Sequence, residues 1–310
     1  MIIDIHAHTT NHKLWNLHTE TATIADLERL AEEHGVTKIV LMATYFPFKG
    51  SGLHNEELLT RIGDRKLFVA CGSLDMMGNV ELGVMRLRRL AQEKRIVGIK
   101  LYPGYQDFKP SGVTAFPVYE LAEEFNLPVI LHSGYLHHCC SDASERRCGF
   151  ADCPLDKLEY LSRPSQFFGA AQRFPRVKFV VAHLGNPHFS ELRDLMRICP
   201  NVYTDISGTI EYAPEEKEAL RAEIEHFITL VPNGVDRLMF ATDFPIQSYA
   251  DTIALVESLG GTIHPGPWAC DDNMDAGDPW GIGDDGKANI YWKNATKLFR
   301  LEVNNASIEK

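Results

Sequence analysis

Residues 1–8 read MIIDIHAH, residues 23–35 TIADLERLAEEHG and residues 36–44 VTKIVLMAT. In a strand, side chains two apart share a face, so the first run places Ile3, Ile5 and Ala7 on one side and Asp4, His6 and His8 on the other. The second run repeats apolar residues at helical spacing and stops at Gly35, and the third is a continuous apolar run of strand type. Strand, helix and strand in that order form the repeating unit of a parallel sheet. Taken alone, His6 and His8 read as the solvated polar face of an edge strand, with a metal site as the alternative.

The same alternation continues along the chain. Strands are predicted at 2–8, 37–43, 67–74, 96–102, 128–133, 177–183, 201–206 and 236–242, with helices near 23–34, 54–63, 79–94, 114–126, 162–173, 188–198, 214–229, 248–259 and 287–300. Eight Val/Ile/Leu-rich strands, each followed by a helix, predict an α/β protein built as a single closed (β/α)₈ TIM barrel. No linker divides residues 1–310, which are read as one domain. Two stretches break the regular spacing: an insertion at about 135–160 after strand five, and a second at about 260–286 after the first helical segment that follows strand eight. Long insertions in a barrel are often functional, and the first leaves from the strand ends where such barrels carry their chemistry, so it is expected to fold over the barrel mouth.

The bulk numbers bound the function. The 310 residues are 45% hydrophobic and 24% charged, ordinary for a globular protein, and the formal charge of −11 argues against a general affinity for nucleic acid or an anionic membrane. No apolar run approaches the ~20 residues of a membrane span and no basic segment precedes an apolar one, so a cytoplasmic protein is expected. The seven cysteines are an odd count, which suits thiols or metal ligands better than a disulfide framework.

The ionisable residues collect where the apolar runs end. His6 and His8 close strand one, Lys100 lies in GIKLYP (98–103), His132 in LHSG (131–134), His183 in AHLG (182–185), Asp205 in VYTDISG (202–208) and Asp243 in FATDFP (240–245). Any one of them alone is read as a satisfied core residue or a helix cap. Histidines and a carboxylate converging on the catalytic face of a barrel have the composition of a Zn, Fe or Mn site. Asp4 either accepts an N–H from a ligand histidine or pairs with an interior lysine. Trp15, Tyr45, Phe46, Phe48, Tyr102, Tyr105 and Tyr135 follow strand ends and suit an apolar pocket wall.

DIHAH (4–8), GIKLYP, LHSG, AHLG, FATDFP and the closing NATKLF (294–299) together resemble the amidohydrolase superfamily, specifically its amidohydrolase-2 branch, from residue 4 to about 300. The resemblance implies a (β/α)₈ barrel holding one divalent metal, most often Zn²⁺. It implies His6, His8, His132 and Asp243 as ligands, and His183 as the histidine that orients or deprotonates the metal-bound water. In binuclear relatives a strand-four lysine is carboxylated and bridges two metals. Lys100 stands in roughly that place, and is otherwise a substrate-anion contact or a structural lysine paired with Asp4 or Asp205. Asp205 and Tyr102 are suitably placed for substrate or for support of the ligands.

Two further features stay outside that resemblance. Cys139, Cys140, Cys148 and Cys153 lie beside His137 and His138, which allows a structural zinc or free thiols on a lid, although paired CxxC motifs are absent. The run DDNMDAGD (271–278) matches a calcium loop only in part and reads as a solvated acidic loop. The expected activity is hydrolysis of an amide, lactone or ester-like carbon of a small molecule. The alternative is non-oxidative decarboxylation of an unsaturated or aromatic acid. A metal-binding protein without turnover is disfavoured because all five expected site residues are present. A homo-oligomer is compatible with the sequence, which does not fix the oligomeric state.

Overall fold

The computed structural model describes residues 1–14, 17–46, 52–136, 154–209, 214–260 and 282–302. The expected cysteine and acidic features at 137–153 and 261–281, with Trp15 and Phe48, lie outside them. In chain order the elements begin β1 (Ile2–Ala7), α1 (Ile24–His34), β2 (Val36–Met42), α2 (Asn55–Ile62), β3 (Phe68–Gly72), α3 (Val80–Gln92), β4 (Gly98–Leu101) and α4 (Phe116–Phe125). They continue β5 (Val129–Leu131), α5 (Pro154–Leu158), α6 (Phe168–Arg173), β6 (Phe179–Val181), α7 (Phe189–Ile198), β7 (Val202–Asp205), α8 (Pro214–Leu230), β8 (Leu238–Met239) and α9 (Tyr249–Ser258), ending with α10 (Gly283–Ala288) and α11 (Asn294–Phe299).

The eight strands pair in sequence order and in parallel. The ring returns to its start where Ile5 N–H donates to Phe240 O (3.2 Å), Asp243 N–H to His6 O (2.7 Å) and His8 N–H to Phe244 O (2.8 Å). This is the (β/α)₈ TIM barrel. No described helix is long and apolar enough to cross a membrane. Local signals start and stop the helices as the sequence suggests. In α1, Thr23 Oγ1 accepts from Asp26 N–H, Asp26 returns the bond to Thr23 N–H, and Gly35 ends the helix at φ +68°.

Strand alternation divides the core in two. Ile39, Leu41, Ile99, Leu101, Phe179 and Val181 pack outward against helical Leu27, Leu58, Leu87 and Leu121. Val40, Met42, Ile130, Val180 and Met239 pack inside the barrel, where Leu298 and Phe299 of α11 join them. β1 departs from strict alternation. Asp4 pairs with Ile39 and Ala7 with Leu41, so three steps on β1 match two on β2, a bulge that adds one residue. Ile3 and Ile5 therefore join the inner cluster while Ala7 joins the outer one. The expected shared face of Asp4, His6 and His8 is thereby corrected: the bulge turns His6 inward and leaves Asp4 outside.

Three other boundaries differ from expectation. The helix expected at 162–173 is split, because Pro164 opens a separate tight turn (Pro164–Phe167) before α6. The last strand is cut to two residues, since Phe240 N–H leaves the ladder to donate to Ile290 O (2.9 Å). Ile290 belongs to a π-turn, Asn289–Lys293, which interrupts the helix expected at 287–300.

Candidate active site

Of the expected residues, His6, Lys100 and Asp205 lie on strands, whereas His8, His132, His183 and Asp243 stand just past strand ends. His183 and Asp243 hold left-handed backbone conformations, at φ +62° and +50°. Such conformations cost a non-glycine residue roughly 1–2 kcal/mol and persist where surrounding bonds impose them. Here His183 N–H donates to Asp205 Oδ1 (3.0 Å), and Asp243 N–H donates to His6 O (2.7 Å). Each turn is thus tied to another element of the site.

Asp205 is the hub. Its Oδ1 accepts from His183 N–H, Ser207 N–H and Ser207 Oγ–H, while its Oδ2 faces His6 Nδ1 at 3.3 Å. A carboxylate only accepts, so His6 carries its proton on Nδ1 and turns the Nε2 lone pair into the cavity. His183 Nδ1 is 3.1 Å from Ser207 O, and His132 Nε2 is 3.1 Å from Tyr135 O. Carbonyl oxygens also only accept, which places those protons on His183 Nδ1 and His132 Nε2. The remaining atoms, His183 Nε2 and His132 Nδ1, then bring two lone pairs face to face at 3.3 Å. Such a pair calls for a proton or a cation between or beside the rings.

His8 Nε2 and His6 Nε2 lie 3.1 and 3.5 Å from Asp243 Oδ1. The ligand atoms of His6, His8 and Asp243 all fall within 4.8 Å of one another, and His6, His183 and Asp205 form a second such group. His132 belongs to neither group; it joins the site through His183. Asp4 accepts from His6 N–H (3.0 Å), Thr242 N–H (3.2 Å) and Thr242 Oγ1–H (2.6 Å). It therefore braces the β1 and β8 backbones and touches neither a histidine ring nor Lys100, which corrects both roles expected of it. Lys100 Nζ instead meets His6 Nε2 at 3.2 Å.

Burial keeps the His6, His132 and His183 imidazoles neutral, the form that binds metals. It drives His6, aided by the nearby Lys100 charge, down to about 3, and pushes His132 well below the ordinary range. His183 is lowered by burial against the pull of Asp243 and Asp205. For the two carboxylates burial works upward but loses. Neighbouring His6, and then the His8 hydrogen bond, hold Asp243 low, and the His6 and Ser207 bonds do the same for Asp205. Burial lowers Lys100 to about 8 and raises Asp4 to about 7.

His6, His8, Lys100, His132, His183 and Asp243 line a cavity of about 1010 Å³ together with Phe46, Tyr102, Tyr105 and Leu136. Tyr102 donates its hydroxyl to Ala43 O (2.8 Å), so it offers the cavity its ring. Tyr45 stacks instead on His54, with ring centroids 4.2 Å apart, and is not part of the wall. Sequence reasoning misses three contributors. Ser207 and Thr242 have no signal beyond their closeness to Asp205 and Asp243. Ser133 is 1% exposed and lines the cavity, yet its Oγ has no hydrogen-bond partner among the described residues. The backbone around it is pinned: His132 N–H donates to Leu101 O, Gly134 N–H to Ser162 O and Tyr135 N–H to Asn186 O. Gly134 is at φ +82°, where a Cβ would fall 1.8 Å from Asn186 O.

A family profile described as Amidohydrolase matches residues 3–301. No curated protein matches the chain. Among solved structures, the barrel is similar to a probable 2-pyrone-4,6-dicarboxylic acid hydrolase from Acinetobacter baumannii with citric acid bound, at 16% identity and a TM-score of 0.64, covering 97% of this chain and 99% of that one. It is also similar to 5-carboxyvanillate decarboxylase from Sphingomonas paucimobilis, at 18% identity and a TM-score of 0.60 over 97% and 99% of the two chains. A third similar structure is a dihydroxybenzoic acid decarboxylase from a Polaromonas species with bound manganese and 2-nitroresorcinol, at 16% identity and a TM-score of 0.62 over 98% of each. These likenesses concern the fold.

Proposed function

The chain belongs to the amidohydrolase family, and from that premise we propose that it is a metal-dependent hydrolase of a small molecule bearing an amide, lactone or ester-like carbon. The observation that carries the reading is the set of inward lone pairs. His6 Nε2, His183 Nε2 and His132 Nδ1 face the cavity because Asp205, Ser207 O and Tyr135 O take the protons of the opposite nitrogens. Buried neutral imidazoles beside an ionised carboxylate suit a divalent cation, and nitrogen with carboxylate oxygen is a donor set for zinc. His6, His8, His132 and Asp243 would hold it. When bound, such an ion supplies an activated water and polarises the substrate carbonyl.

The chain's own groups do the rest. His183 accepts and returns the proton at Nε2, the ring atom its bond to Ser207 leaves free. Asp205 fixes the tautomer of His6 and the strained backbone of His183 together. Phe46, Tyr102 and Tyr105 give the substrate an apolar wall. That wall also favours a second reading, decarboxylation of an aromatic acid, the reaction named for two of the similar structures.

The experiment is a zinc-loaded assay on two sets of compounds. One set holds lactones and esters, including 2-pyrone-4,6-dicarboxylate. The other holds 5-carboxyvanillate and 2,6-dihydroxybenzoate. Acid release from the first set without CO₂ release from the second is the expected result. CO₂ release alone assigns the second reading.

A further inference from the structure

Lys100 is fully buried inside β4, and its Nζ is 3.2 Å from His6 Nε2. A lysine ammonium has protons to give and no lone pair, so Lys100 donates and His6 Nε2 accepts. The other side of the ring agrees, since Nδ1 is committed to Asp205. The lone pair that Lys100 takes is the one that faces Asp243 Oδ1 at 3.5 Å. A metal shared by His6 and Asp243 needs that same lone pair, and one imidazole lone pair makes one strong bond.

Charge explains why a lysine stands there. Asp205 is fully buried and Asp243 is 15% exposed, so two carboxylates sit in one shielded site. Among the described residues that line the cavity, Lys100 is the one lysine or arginine. Carboxylates in such surroundings are costly unless a cation accompanies them. The Tyr102 ring, 5.3 Å from Nζ, offers the ammonium a second favourable contact.

We infer that Lys100 is a stand-in cation: it occupies His6 Nε2 in the metal-free protein, keeps the acidic site assembled, and must withdraw from that atom before a divalent ion binds. This rests on the reading of His6 as a metal ligand. It gives Lys100 a positioning role toward the metal that requires neither carboxylation nor contact with substrate.

The test is zinc affinity, read by competition with a chromophoric chelator on full-length protein stripped of metal. Lys100→Met keeps the stem and removes the donor. The variant should bind zinc about tenfold or more tightly than the wild type, because it no longer gives up a charged hydrogen bond. Its metal-free form should also melt at a lower temperature. Unchanged affinity overturns the inference, and weaker affinity shows that Lys100 itself helps to hold the ion. Since Lys100→Met removes charge as well as contact and the metal-free variant can fail to fold, crystals of wild-type protein in metal-free and zinc-loaded forms decide independently. Nζ should lie within hydrogen-bond distance of His6 Nε2 only without zinc. Nζ still on His6 Nε2 in the zinc-loaded crystal overturns the inference. Wild-type protein that takes up no zinc in this cavity overturns the metal reading beneath it.

Discussion

The two walls of the site are built differently. On the β7, β8 and β1 side both oxygens of Asp4 and both oxygens of Asp205 are engaged, by His6, Thr242, His183 and Ser207. On the β5 side, Ser133 Oγ has no partner among the described residues and the lone pairs of His132 and His183 confront each other. Buried polar groups are normally satisfied, and an unmet one costs roughly 1–3 kcal/mol. The contrast separates scaffold from receptor: the first wall holds its side chains in place, and the second leaves valences for what binds.

The largest effects should come from breaking the line between the walls. Asp243→Ala should empty the site of metal and bring activity to background, by metal analysis and turnover. His183→Ala should keep most of the metal yet lose roughly 10²–10⁴-fold in rate, the usual value of a positioned acid–base group. Loss of metal in His183→Ala with retention in Asp243→Ala would reverse the two roles.

A smaller loss should follow from loosening the scaffold. Asp205→Asn replaces an oxygen that only accepts with an amide that can donate, so the His6 tautomer is no longer fixed. Metal affinity should fall roughly 10–100-fold, as for other groups that orient a ligand. Full affinity would show that Asp205 does not set the tautomer.

Acid should weaken the metal-free protein in a defined window. Between about 3, where folded His6 takes its proton, and its ordinary value near 6.5, the unfolded chain binds more protons than the folded one. Stability therefore rises with pH across that window, by up to about 1.4 kcal/mol per pH unit for each such histidine. Asp4, raised to about 7, binds its proton more tightly when folded and opposes this between about 4 and 7. Denaturant melts of Asp4→Asn should thus show a steeper acid loss than those of the wild type.

The smallest effect distinguishes the walls most finely. Ser133→Ala removes an unpaired hydroxyl and should leave stability unchanged or raise it by about 1 kcal/mol, whereas Thr242→Ala breaks two bonds and should lower it by about 1–2 kcal/mol. Equal losses in denaturant melts would mean that Ser133 has a partner within the chain.

Much of this was legible in the sequence, for a physical reason. Strands buried on both faces read as apolar runs, so the polar residues that end them stand out, and His6, His8, His132, His183 and Asp243 do face one cavity. The bulge in β1 was not legible, because an extra residue in a ladder changes register without changing composition, and it sent Asp4 to the opposite face. Nor were the left-handed turns at His183 and Asp243, which depend on bonds to residues far along the chain. The protons on His6, His132 and His183 are set by Asp205, Tyr135 O and Ser207 O respectively, two of them backbone atoms with no sequence signature. Pro164 was readable as a helix breaker, and the expected helix ran through it.

Diffraction from zinc-loaded crystals at the zinc absorption edge tests the central claim most directly. The account predicts a single anomalous peak in the cavity, in contact with His6, His8, His132 and Asp243, beside an unmodified Lys100. A pair of peaks about 3.5–4 Å apart bridged by a carboxylated Lys100, or a loaded protein with no peak among these four residues, would contradict it.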